Sequence, residues 1–345
     1  MGTVRLTKLH ATGNDFLVFA DLDGAAPDPA AGEAAPAGGS GRTVLEAAAA
    51  LCDRHRGVGA DGLIVLTRPP SGPPGPVGAD HPDVVMLLRN ADGSPAEMSG
   101  NGIRAAAWVA HRLGLGDGRV LRVATGAGLR EVDLHLDARG DVAAAEVDMG
   151  PVTFTPEAIP VAAPSACDLT VTADGTRWIG DAAGLGNPHL VVLLSASDAL
   201  AGVPMHALAA AVAGDPRFPA GVNLEVVAVP DSSGRASGGA SPGAAGHGAD
   251  TLVMRVWERG VGETLSCGTG ACAAAAVAHR RGLVGAQVRV EVPGGSLQVT
   301  LGATARLAGP VEPIARVEVD LDRLGGVPEP DAVPRRAGGR SGGGR

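Results

Sequence analysis

The sequence predicts an α/β chain of the α+β type, built from two copies of one domain, each a group of short strands around one buried helix. Three observations lead there. The 345 residues suit two domains of ordinary size. One segment recurs at a fixed spacing. The local signals alternate short β-branched runs with two unusually apolar helices.

The strand signals fall at residues 4–9, 16–19, 63–66, 84–88, 190–194, 224–229, 252–257 and 288–292. A further strand is expected near 311–319, returning to the first domain. Helix signals fall at 102–113 and 270–281. Both are alanine-rich and apolar around most of their circumference, so each should be buried with a sheet packed closely against it. Residues 24–42, 69–82 and 230–248 have Gly, Pro, Ala and Ser in place of any period and read as surface insertions. The Pro-then-Gly/Arg end cannot bury a core, so 326–345 is expected to be a disordered tail.

The repeat joins the two helices. Residues 99–115 read SGNGIRAAAWVAHRLGL and residues 267–283 read CGTGACAAAAVAHRRGL, with 11 of 17 positions shared at an offset of 168. Alanine-rich helices match cheaply, but the shared Gly-x-Gly start and His-Arg-x-Gly-Leu end do not. Met86 and Met254 keep the same offset, as do Leu129 and Leu297. The domains are therefore expected at 1–149 plus 310–325 and at 150–309.

Composition narrows the chemistry. Lys8 is the only lysine among 28 basic residues, and it follows no glycine loop, which argues against both a pyridoxal-phosphate Schiff base and a P-loop. A net charge of −9 with seven aromatic residues argues against nucleic acid as a partner. The cysteines Cys52, Cys167, Cys267 and Cys272 match neither a disulfide framework nor a zinc pattern, so no metal is expected. No apolar run approaches membrane-spanning length, and the N-terminus lacks a signal-peptide core. The expectation is a cytoplasmic enzyme that handles a small polar substrate without a cofactor or membrane partner.

In each copy a small nucleophilic residue, Ser99 or Cys267, directly precedes Gly-x-Gly at a helix start. Unpaired N–H groups and a partial positive charge at such a start attract a carboxylate, and the same field should lower a thiol pKa. Cys272, Cys52 and Cys167 lack that placement and read as structural. If the copies face each other, residues 99 and 267 flank one substrate. One group could then remove an α-proton while the other supplies one to the opposite face.

These residues resemble the diaminopimelate epimerase family. The resemblance is carried by His10-Ala-Thr-Gly-Asn14-Asp-Phe16, Arg54-His-Arg-Gly-Val-Gly-Ala-Asp61-Gly, Arg89-Asn90-Ala-Asp-Gly-Ser94 and Gly100-Asn101-Gly-Ile-Arg104. It continues in Gly186-Asn187-Pro-His189, Gly221-Val-Asn223, Glu258-Arg259-Gly-Val-Gly-Glu-Thr264 and Cys267-Gly268-Thr269-Gly270. The motifs run in family order from about residue 4 to 319. The resemblance implies a curved, mostly antiparallel sheet around each central helix, with the substrate between the domains. It implies cofactor-independent interconversion of LL- and meso-diaminopimelate, a step toward lysine and peptidoglycan precursors. Cys267 would be a catalytic thiol, with Glu258 and His189 beside the reacting groups. Asn14, Asn90, Asn187, Asn223, Glu258 and Arg259 would bind substrate, while Gly100, Asn101, Gly268 and Thr269 would hold the reacting carboxylate.

The sequence departs from the family at Ser99, where a second catalytic cysteine belongs. A hydroxyl is a far weaker acid than a thiol, so Ser99 is a poor base near neutrality. Three explanations stay open: a slower acid/base partner aided by His189 or Glu258, a one-sided reaction, or an introduced Cys→Ser change. The activity implied is an epimerase. The alternatives are a lyase or isomerase acting on another amino acid, and a silent paralogue that only binds one. The family's homodimers often carry an aromatic in the last strand. This chain has Ile314-Ala315-Arg316 there, which weakens the expectation of a homodimer.

Overall fold

The structure, a computed structural model, describes residues 2–22, 44–69, 81–96, 98–194, 199–230 and 250–324. The three expected insertions, apart from their edges, and the expected tail at 326–345 lie outside the described residues.

Two like sheets make up the molecule. In the first, hydrogen-bonded neighbours run Glu312–Asp320, Thr3–Ala11, Asn14–Asp21, Gly62–Thr67, Val84–Asn90, Val120–Thr125, Gly128–Leu136 and Val142–Asp148. The second runs Leu169–Ala173, Thr176–Gly184, Pro188–Leu194, Asn223–Ala228, Asp250–Glu258, Gln287–Val292, Gly295–Leu301 and Ala305–Pro310. In both, the third strand is parallel to the fourth and the fifth to the sixth; every other neighbouring pair in these two runs is antiparallel. Antiparallel pairing of Val142–Asp148 with Ala305–Pro310 joins the sheets.

A parallel pair requires a crossover, and helices supply them at matching places. Helix α1 (Ala48–Cys52) connects the third and fourth strands of the first sheet, and α3 (Met205–Ala213) does so in the second. Helices α2 (Gly100–Arg112) and α4 (Gly268–Arg280) connect the fifth and sixth. The small α1 and α3 cover the outer faces, packing against separate apolar clusters. The alanines of α2 and α4 lie inside one continuous core that includes Val147 and Leu307 at the junction. Alanine suits these helices because its single methyl buries without loss of side-chain entropy and lets strands approach closely.

All the strands expected from β-branched runs are present, and the last strand pairs with the first. Both central helices start two residues earlier than their periodicity suggested, because capping rather than the apolar pattern sets the first turn. Strands such as Gly128–Leu136 and Val142–Asp148 were not legible in sequence. In their central parts buried Val, Leu or Ala alternates with partly or fully exposed residues, many of them Asp or Glu, which have low strand preference.

Candidate active site

The cap residues Ser99 and Cys267 have nearly the same extended backbone, φ −140° and ψ 126° against φ −126° and ψ 117°. Each side chain accepts from the N–H three residues on: Gly102 N to Ser99 Oγ at 3.0 Å, and Gly270 N to Cys267 Sγ at 3.4 Å. The helix starts meet end to end. A Cβ placed on Gly268 would lie 3.5 Å from Gly100 Cα, within van der Waals contact, and 2.8 Å from Leu307 Cδ2. Two positive helix termini thus converge where a carboxylate can be held by backbone N–H groups.

Around Cys267 the polar groups form a connected set. Its Sγ is 3.4 Å from Thr269 Oγ1, to which Asn187 Nδ2 donates at 3.3 Å. The same amide's Oδ1 lies 2.9 Å from His189 Nε2, and His189 Nδ1 lies 2.7 Å from Glu225 Oε1. His189 and Glu225 are wholly buried. Glu258 hydrogen-bonds the thiol and accepts from Thr264 Oγ1 at 2.6 Å.

Electrostatics here reverse the expectation from the helix field. Burial first, and then the Glu258 and Glu225 carboxylates, push the Cys267 thiol well above its ordinary range. The Thr269 hydroxyl and the Gly270 N–H oppose this but do not prevail. The resting thiol is therefore protonated, because desolvation outweighs the helix start. Burial, reinforced by Glu225, also lifts Glu258 above the usual carboxylate range against its hydrogen bonds from Thr264 and Cys267.

Among the described residues, the first half lacks the ionisable part of this machinery. Strand register places Phe16 beside Gly62 as His189 lies beside Asn223, and Ile64 then corresponds to Glu225. The offset of 168 places Asn90 at the position of Glu258. Ser99 therefore stands before Phe16 and Ile64, with no ionisable counterpart of the groups behind Cys267.

Most of the other residues singled out in the sequence gather around the two helix starts. Asn101 Nδ2 donates to Asn14 Oδ1 at 3.2 Å and to the Ser266 carbonyl at 3.3 Å. Asn14 Nδ2 donates to Asp61 Oδ2 at 2.7 Å. Asn223 Oδ1 accepts from the backbone N–H of Arg259 at 2.9 Å, and the Arg259 guanidinium donates to the Ala220 carbonyl. Asn90 is exposed, with its amide on Ser94 Oγ at 3.0 Å. Glu225 was missed, although a lone Glu in the apolar run Asn223–Ala228 is a readable signal of a buried partner. Arg104 and Thr12 stand within the family motifs, yet nothing local marks their role or that of Ser266, because all three act across the seam.

A family model described as diaminopimelate epimerase matches residues 6–155 and 182–311. The chain is 34% identical over 324 residues to the diaminopimelate epimerase of Pseudomonas syringae pv. syringae, covering 92% of this chain and 99% of that protein. It is 36% identical over 301 residues to that of Synechococcus elongatus, covering 86% of this chain and 90% of that protein. Among solved structures, a hydroxyproline epimerase from Agrobacterium vitis superposes with a TM-score of 0.62 at 16% identity, over 93% of this chain and 94% of that one. Two like halves closing on facing helix starts thus make this a protein of the duplicated epimerase fold. Within that class, the chain belongs to the diaminopimelate epimerase family and is an isomerase.

Proposed function

We propose that the protein epimerises diaminopimelate, interconverting the LL and meso forms by proton transfer at the α-carbon, in the synthesis of lysine and peptidoglycan precursors. One observation carries the reading: Ser99 and Cys267 cap two helices whose first residues touch, so one carboxylate can lie between the helix starts with a proton-handling group on each side. The N–H groups of Gly100, Asn101, Gly268 and Thr269 hold that carboxylate and take up the charge that develops when the α-proton leaves. Cys267 passes its own proton to Glu258 and removes the α-proton as thiolate. The desolvation that makes this thiolate scarce also makes it a stronger base. Ser99 delivers its hydroxyl proton to the opposite face, its oxygen held by the Gly102 N–H; solvent then reprotonates the oxygen and takes the proton from Glu258. Asn14, Asn90, Asn187, Asn223 and Arg259 serve the polar groups of the substrate's two ends. The chemistry uses no organic cofactor, and the setting is cytoplasmic. Among the described residues no helix is long and apolar enough to cross a membrane.

The test is LL-diaminopimelate in D₂O, with α-hydrogen exchange followed by NMR and stereoisomers separated by chiral chromatography. Wild type should yield deuterated meso product, and Cys267→Ala should abolish both exchange and inversion. Full activity of that variant would remove the mechanism. The apolar setting of Ser99, with Phe16 and Ile64 behind it, favours one other reading: one-sided α-proton removal, by a lyase or isomerase on another amino acid. Its mark is a rearranged or eliminated product in place of a stereoisomer.

A further inference from the structure

Where α2 and α4 face each other, matching positions 168 residues apart hold unlike side chains, Arg104 and Cys272. Arg104 is completely buried. Its Nε donates to the Gly100 carbonyl at 3.2 Å, and one Nη donates to Asn101 Oδ1 and, at 3.4 Å, to Thr12 Oγ1. The other Nη makes no hydrogen bond and is packed against Gly309, where a Cβ would overlap it. Among the described residues no carboxylate forms an ion pair with this guanidinium. Burial draws its pKa down to about 10, so it stays charged at neutrality.

A buried, unpaired cation is strongly unfavourable, and a fold normally supplies its counter-ion. The carboxylates of the Cys267 side are engaged with other partners, Glu225 with His189 and Glu258 with Thr264. Through its partners Arg104 reaches the starts of both helices. Asn101 also bonds the Ser266 carbonyl, and Thr12 Oγ1 donates to Ser266 Oγ at 2.7 Å, one residue before Cys267. The charge therefore lies directly beneath two helix starts that are themselves positive.

We propose that Arg104 is a positioning residue whose missing counter-charge is the substrate's α-carboxylate, and whose hydrogen bonds keep the Ser99 and Cys267 sides of the carboxylate cradle in register. The proposal rests on the epimerase reading. It predicts that the guanidinium lowers stability in the empty protein and raises affinity in the occupied one.

The experiment compares Arg104→Met and Arg104→Lys with wild type, by thermal unfolding without ligand and by epimerisation kinetics on LL-diaminopimelate. The Met variant should unfold at the same or a higher temperature, while KM rises at least about tenfold, because the buried charge beneath the carboxylate cradle is gone. The Lys variant should recover a substantial part of that KM. A Met variant that is less stable or fails to fold overturns the proposal, because the charge would then be structural. Unchanged KM in the Met variant overturns it too, as does a KM in the Lys variant as poor as in the Met variant. Absence of epimerisation by wild type is a separate result and removes the epimerase reading instead.

Discussion

Gly270→Ala and Gly102→Ala put the same methyl group at matching points of α4 and α2, and the structure separates their outcomes. Ala is favoured over Gly by about 1 kcal/mol in a helix interior, an upper bound for these first-turn positions. At Gly102 the new Cβ would lie 3.2 Å from Ser99 Cβ and 3.4 Å from Ile64 Cδ1 and Phe16 Cε1, contacts that small side-chain shifts can relieve. At Gly270 it would lie 2.5 Å from Glu225 Oε1 and 3.2 Å from both Cδ and Cγ. A comfortable carbon–oxygen approach is about 3.3 Å, so the carboxylate must move by roughly 0.8 Å. It is wholly buried and bonded to His189 Nδ1 at 2.7 Å, and a shift of that size disrupts the bond. Disrupting a buried charged hydrogen bond costs about 3 kcal/mol, which exceeds the helix gain. Gly102→Ala should thus be neutral or stabilised by up to about 1 kcal/mol, and Gly270→Ala destabilised by about 2 kcal/mol. Chemical denaturation measures both. α-Hydrogen exchange in D₂O should fall at least about tenfold for Gly270→Ala, and much less for Gly102→Ala, if His189 and Glu225 organise Cys267. Equal stability changes in the two variants, or undiminished exchange in Gly270→Ala, would refute the reasoning.

Ser99→Cys should raise turnover by about tenfold or more, since a thiol is far closer than a hydroxyl to the acidity that proton transfer needs; an unchanged or lower kcat would show that serine is adapted to this site. Iodoacetamide should label Cys267 slowly near neutral pH and faster only above the ordinary thiol range, because burial and two carboxylates hold the thiol protonated. Glu258→Gln removes one of those carboxylates and should shift the labelling profile to lower pH, read by peptide mass spectrometry; a profile unmoved by the change would contradict the electrostatic account. Asp15 is held below the ordinary carboxylate range: burial raises it, but the hydrogen bonds and charges of Arg54 and Lys8 prevail. A depressed folded-state pKa gives stability that is complete above the unfolded value and is lost as pH falls through the folded one. Asp15→Asn should therefore flatten stability against pH below about pH 4, as measured by urea midpoints.

Part of this architecture is legible residue by residue. Val, Ile, Leu and Phe in short runs fix their own extended backbone, and the eight runs noted in sequence are all strands. The duplication is also legible, because Gly-x-Gly and His-Arg-x-Gly-Leu recur at one offset and cap the two helices alike. Cys267 and Ser99 were marked by their place before those glycines, and Asn14, Asn187, Asn223 and Asn101 by their motifs. Other elements were hidden for local reasons. Strands rich in Ala and acidic residues, such as Val142–Asp148, gain their conformation from neighbours that pair with them. Glu225 and Arg104 have meaning only through contacts with residues 36 and 92 positions away, His189 and Thr12.

The sequence by itself determined that the chain has two like halves, that each carries a buried alanine helix, and that residues 99 and 267 stand at the helix starts. These follow from periodicity, caps and repetition, which act over a few residues. Tertiary structure alone decided that the helix starts meet, that His189 and Glu225 lie behind Cys267 while Phe16 and Ile64 lie behind Ser99, and that the Cys267 thiol is protonated at rest. That last point reversed the expectation from the helix field. Desolvation and neighbouring carboxylates set a thiol's proton affinity, and both exist only once distant strands have closed around it.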